Sequence, residues 1–116
     1  MTTSSLKQLR ALALAALDDM KAQDVKVLDV RGQTSITDLM IFASGTSTRH
    51  VKSIADRVVE ELKKAGVRPI GVEGQQASEW VLADFGDIVL HVMLPKAREF
   101  YRLERLWAGE DTAASG

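Results

Sequence analysis

The stretch WVLADFGDIVLHVML, residues 80–94, does most to limit what this chain can become. Two apolar-rich runs flank Gly86, and Gly followed by Asp is the signature of a two-residue hairpin turn. With Gly86 and Asp87 as the turn, Phe85 pairs with Ile88, Asp84 with Val89, Leu82 with His91 and Trp80 with Met93. Side chains alternate between the faces of a strand, so this register sorts both strands at once. One face carries Val81, Ala83, Phe85, Ile88, Leu90 and Val92, wholly apolar and therefore core. The other carries Trp80, Leu82, Asp84, Val89, His91 and Met93, a mixture of a large aromatic, a carboxylate and an imidazole.

An apolar sheet face needs cover, and the rest of the chain supplies it. Leu6, Leu9, Ala13, Ala16, Leu17 and Met20 recur at helical spacing behind Ser4 or Ser5, either of which suits a cap, so a helix is predicted over 5–22. VKVLDVR (25–31) has the mixed alternation of a strand, and 32–37 is a polar turn. LMIFAS (39–44) is continuously apolar, the pattern of a central strand buried on both faces. Val51, Ile54, Ala55, Val58, Val59 and Leu62 line a second helix that Gly66 stops. RPIGVEG (68–74) is a short strand whose Pro69 suits a strand start or an edge. Pro95 begins a last helix with Phe100, Leu103 and Trp107 on one stripe and Gly109 at its end. The polar residues 110–116 read as a disordered tail. The expected architecture is an α/β domain over residues 1–109, a mixed sheet of about five strands packed by helices in two or three layers.

At 116 residues the chain has room for one core. Its net charge of -1 provides no global positive field to hold a nucleic-acid backbone, which disfavours direct DNA or RNA binding while leaving room for a local basic patch, and direct sequence-specific nucleic-acid binding is not expected. The absence of cysteine removes disulfides, thiol catalysis and cysteine-ligated metal centres. No apolar run reaches the ~20 residues that span a bilayer, and MTTSSLKQLR lacks the layout of a signal peptide. A soluble cytoplasmic protein is expected, without membrane contact.

ASGTSTRHV (43–51) admits two readings. As a nucleotide site, Gly45 permits close backbone approach, a helix N-terminus follows, and Arg49 adds charge. As a helix start, Thr46 or Ser47 is an N-cap worth about 1 kcal/mol. The stretch lacks the lysine of a P-loop and the spaced glycines of a dinucleotide turn, so capping is the stronger reading. A nucleotidyltransferase would also need paired carboxylates for Mg²⁺ on the next strand. That strand offers only Glu73, while Asp84 and Asp87 stand at opposite ends of a turn. His91 has no serine, cysteine or second acid placed to work with it, and reads as a hydrogen-bonded sheet histidine. His50 is the only other histidine. No catalytic residue, cofactor or metal site is expected.

Taken in order, SGTSTRHV, Glu73-Gly74, EWVLADFGDIVLHVM and REFYRLERLW resemble the ribosomal silencing factor family, also called RsfS or Iojap. The match runs unbroken from about residue 6 to 107, and W-V-L-x-D-x-G-D, then H-V, then R-x-x-Y-x-L-E-x-L-W, is highly specific. The resemblance implies a fold similar to nucleotidyltransferases but without their metal carboxylates. It implies a translational repressor that binds the large ribosomal subunit through ribosomal protein fourteen, on the surface facing the small subunit. Bound there under nutrient or energy limitation, the factor blocks subunit joining. A homodimer is also implied, with one copy on the ribosome. The family's tryptophan and tyrosine positions fall on Trp80 and Tyr101, both thought to touch the ribosomal protein.

A large aromatic beside a charge is the composition of a docking hot spot. Trp80, Leu82, Asp84 and His91 are on that ground a candidate docking surface, and the resemblance makes them, together with Tyr101, the expected ribosomal-protein-binding residues. On the residues alone Trp80 reads equally as core beneath a helix, and the resemblance favours docking. Arg98, Tyr101 and Glu104 lie three apart on one helix edge, most simply a solvated edge with a weak ion pair. The alternative function is nucleotidyltransferase-like nucleotide binding at Gly45–Ser47.

Overall fold

The computed structural model describes residues 5–35 and 37–101, the side chains of 99–101 excepted. The elements are α1 (Leu6–Asp19), β1 (Gln23–Asp29), β2 (Leu39–Ser44), α2 (Thr48–Lys64), β3 (Gly71–Glu73), β4 (Trp80–Asp84), β5 (Ile88–Met93) and α3 (Pro95–Tyr101). This is the predicted order. The expected run of the last helix to Gly109, its stripe of Phe100, Leu103 and Trp107, and the tail at 110–116 lie outside the described residues.

The five strands form one sheet in the order β1-β2-β5-β4-β3. β2 and β5 run parallel, and every other neighbouring pair is antiparallel. The hairpin register is the predicted one, from Trp80 opposite Met93 to Asp84 opposite Val89. Phe85 N–H donates to the Ile88 carbonyl at 2.8 Å, and Gly86 takes φ 91° in the turn. β2 and β5 are buried along their whole length. For β2 the unbroken apolar run explains this; for β5 it requires cover over the face that carries His91.

α1 and α2 cover one face. Leu9, Ala13 and Leu17 of α1 and Val51, Ile54, Val58 and Leu62 of α2 join Ile41, Val81, Ala83, Leu90 and Val92 in a single buried cluster. Burying one such side chain stabilises by about 2 kcal/mol, an upper figure because the unfolded chain already hides some of it. α1 is therefore part of the core. On the opposite face Val30, Met40, Phe42 and Met93 form a smaller cluster, with Ala97 of α3 packed against it. The helices thus lie two on one side and one on the other, giving three layers.

Helix ends follow local chemistry. Ser5 Oγ accepts Gln8 N–H at 3.2 Å while Gln8 Oε1 accepts Ser5 N–H at 2.9 Å, a reciprocal capping box. α1 stops at Asp19, short of the predicted 22, because Lys21 turns left-handed at φ 59°. Ala22 N–H then reaches the Leu17 carbonyl and Lys21 N–H the Asp18 carbonyl. α2 ends in the same Schellman arrangement: Val67 bonds to Leu62 and Gly66 to Lys63, with Gly66 at φ 91°. β1 begins two residues before the predicted start, where a bulge between Gln23 and Lys26 leaves Asp24 at φ 49°. A bulge on an exposed edge strand also discourages further pairing there.

Candidate functional site

The second sheet face is ordered in rows across the strands. Phe42, His91 and Leu82 stand side by side on β2, β5 and β4, as do Ser44, Met93 and Trp80, and Met40, Val89 and Asp84. Burial falls off in one direction along each row. Phe42 and His91 are buried, whereas Trp80, Leu82 and Asp84 are each only partly buried. The hairpin therefore presents an aromatic, an aliphatic and a carboxylate along one strand, backed by packed core.

His91 lies within this face at 6% exposure. Its ring stacks on Phe42, centroids 4.8 Å apart and planes 8° from parallel. Trp80 Nε1–H donates to His91 Nδ1 at 3.1 Å, and the two rings are tilted by 39°. Accepting at Nδ1 places the hydrogen of the neutral ring on Nε2. Burial holds the imidazole down to about 4, so at neutral pH it carries no charge. His91 was expected among the partner contacts; it belongs to the expected face by register but exposes little surface to a partner. The expected hydrogen bond of a sheet histidine is present, to Trp80.

Asp84 Oδ1 accepts Gly86 N–H at 2.8 Å, which fixes the hairpin turn from inside. Tyr101 is the last described residue of α3, and its side chain lies outside the described residues, as does Glu104. Arg98 corrects the expectation of a solvated edge: it is 9% exposed, and its Nη1 donates to Ser44 Oγ at 3.0 Å. Helical spacing alone gave no sign that α3 would lie over the end of β2.

Two supports were not anticipated as such. Phe42 is fully buried and supplies the plane against which His91 is set. Gly74 has φ 86°, and a Cβ there would run into the Trp80 carbonyl oxygen. The loop before β4 thus folds directly onto the residue that starts the exposed row. Glu73-Gly74 was the available signal, since a glycine next to a strand often marks close backbone approach.

The turn at Gly45 is organised as a helix start. Ser47 Oγ accepts His50 N–H at 3.1 Å, making Ser47 the N-cap of α2. Gly45 N–H donates to the Met93 carbonyl at 3.1 Å, and Thr46 N–H to His50 Nδ1 at 2.9 Å. A Cβ on Gly45 would stand 2.9 Å from Val51, so this glycine answers to helix packing. Among the described residues no group of three or more His, Asp or Glu is placed to hold a metal ion. Nor is any described helix long and apolar enough to cross a membrane.

Against this geometry, residues 3–115 match the family described as "Ribosomal silencing factor during starvation". The chain belongs to the ribosomal silencing factor family. It is 46% identical over 105 residues to the ribosomal silencing factor RsfS of Chromobacterium violaceum, covering 90% of this chain and 86% of that one. It is 45% identical over 95 residues to RsfS of Haemophilus influenzae, covering 82% and 93%. A mouse relative named "Mitochondrial assembly of ribosomal large subunit protein 1" is 36% identical over 99 residues, 83% of this chain and 43% of the relative. A crystal structure of a Chromobacterium violaceum protein superimposes with a TM-score of 0.89 at 45% identity, covering 92% of this chain and 89% of that one. The mixed sheet and its helices are thus the fold of ribosomal silencing factors. Trp80 lies partly buried at the rim of the second sheet face, packed against the smaller core cluster.

Proposed function

We propose that this ribosomal silencing factor is a translational repressor that acts by occupancy. It docks on the large ribosomal subunit at ribosomal protein fourteen and sterically blocks joining of the small subunit under nutrient or energy limitation. The observation that carries this reading is the partly exposed Trp80, tied by its indole N–H to a buried sheet residue. A rigid aromatic anchor beside Leu82 and Asp84 has the make-up of a hot spot, in which a few residues supply most of the binding energy. Tyr101 belongs to the same proposed surface through the family pattern. The name of the mouse relative, which refers to large-subunit assembly, supports the choice of subunit. No step of bond chemistry is required: a standard interface buries about 1,600 Å² in total, and the bulk behind it excludes the second subunit.

The test is co-sedimentation with purified large subunits, small subunits and joined ribosomes, alongside a folded Trp80→Ala. Selective pelleting with large subunits, lost in the variant and opposed to subunit joining, is the expected result. Failure of the wild-type protein to bind large subunits would sink the reading. Light scattering on the same samples tests the homodimer that the resemblance implies.

A further inference from the structure

We propose that His91 is a positioning residue of the docking face: it holds the Trp80 indole in the orientation that meets the partner, and does not itself meet it. This rests on the docking reading above and assigns a role within that same surface.

Four observations converge on it. His91 is buried, whereas Trp80 on the neighbouring strand is partly exposed. Trp80 is the diagonal neighbour of His91, which stands directly across from Leu82, and an indole is long enough to reach along that diagonal. Nδ1 receives the indole N–H at 3.1 Å. Finally, the stack on Phe42 fixes the imidazole plane and so the direction in which Nδ1 points. An exposed tryptophan without such an acceptor would sample several rotamers, with water taking its N–H. Here one rotamer is selected before any partner arrives, and the ordering that binding would otherwise impose is already complete.

Side-chain ordering of this size corresponds to about a three- to tenfold change in affinity. His91→Phe keeps a buried ring on Phe42 but has no acceptor. His91→Asn loses the ring but places an amide oxygen near the former Nδ1. The expected order of affinity for large subunits is wild type, then His91→Asn close behind, then His91→Phe weaker by about three- to tenfold, then Trp80→Ala weakest. A merely structural role predicts the reverse order for the two His91 variants, because Asn leaves the larger cavity.

A second readout needs no variant at His91. In ¹⁵N-labelled wild-type protein the indole signal missing from Trp80→Phe belongs to Trp80. It is expected to show a ¹⁵N–¹⁵N coupling across the hydrogen bond to His91 and slow exchange with water. Absence of that coupling, or His91→Phe binding as wild type while Trp80→Ala does not, would overturn the positioning role alone. Trp80→Ala binding as wild type would overturn the docking reading and the positioning role with it.

Discussion

The imidazole of His50 donates from Nε2 to the carbonyl of Met20 at 2.7 Å, and so fastens the end of α1 to the start of α2. Its other nitrogen accepts Thr46 N–H, which sets the tautomer needed for that donation. One side chain thereby serves an unpaired carbonyl at one helix end and a backbone donor at the other. His50→Ala is expected to lower stability by about 1–2 kcal/mol, read from urea unfolding. Binding of the folded fraction to large subunits should stay unchanged, because His50 belongs to a different part of the molecule from the hairpin row.

Lys21 holds the left-handed position at the end of α1 that Gly66 holds at the end of α2. A side chain there costs about 1 kcal/mol relative to glycine, partly offset because glycine gains more freedom in the unfolded chain. Lys21 is exposed and its substitution removes no core contact. Lys21→Gly should therefore raise stability by about 0.5–1 kcal/mol, seen as an increase of a few degrees in Tm.

At Gly74 the sign is the opposite. Left-handed backbone and contact with the Trp80 carbonyl act together, so Gly74→Ala is expected to destabilise by about 2–4 kcal/mol. The displaced start of β4 carries Trp80, so affinity for large subunits should fall in the folded fraction as well. Unfolding and co-sedimentation on the same samples separate the two effects.

Burial lowers His91 from its ordinary 6.5 to about 4. The unfolded chain takes up this proton first, so between those values it binds more protons than the folded protein. Stability should accordingly decline as pH falls from about 6.5 toward 4, with no further contribution from His91 below that. The loss amounts to about 2–3 kcal/mol at pH 4.5. In His91→Phe the difference between the unfolding free energies extrapolated from urea at pH 7 and 4.5 should shrink by that amount.

The hairpin was legible because three local signals agree: a turn dipeptide, period-two alternation and one wholly apolar face. β2 was legible from its unbroken apolar run. The end of α1 was not, since a lysine in left-handed backbone carries no sequence mark, whereas Gly66 does. Arg98 looked like surface because helical spacing reports only which residues share an edge, and what lies beneath that edge is decided by tertiary packing over Ser44. The same holds within the candidate site. Register placed Trp80 and His91 on one face, but the hydrogen bond between them depends on rotamers that Phe42 and the neighbouring strands select. Sequence could therefore give the membership of the face, and only the packed sheet could separate the residue that is presented from the residue beneath it.

The parallel pairing of β2 with β5 has a consequence for the birth of the molecule. Leu39 lies beside Ile88, so the middle of the sheet joins chain segments made far apart in time. Until β5 has left the exit tunnel, β2 has one partner, β1, and its inner edge is open; α1 and α2 have only part of the surface they later cover. Pairings of such sequence separation are slow to close because the intervening chain must be ordered first. The domain is thus expected to condense after synthesis, in one late cooperative step, and a chain cut short before Ile88 would be a target for proteolysis.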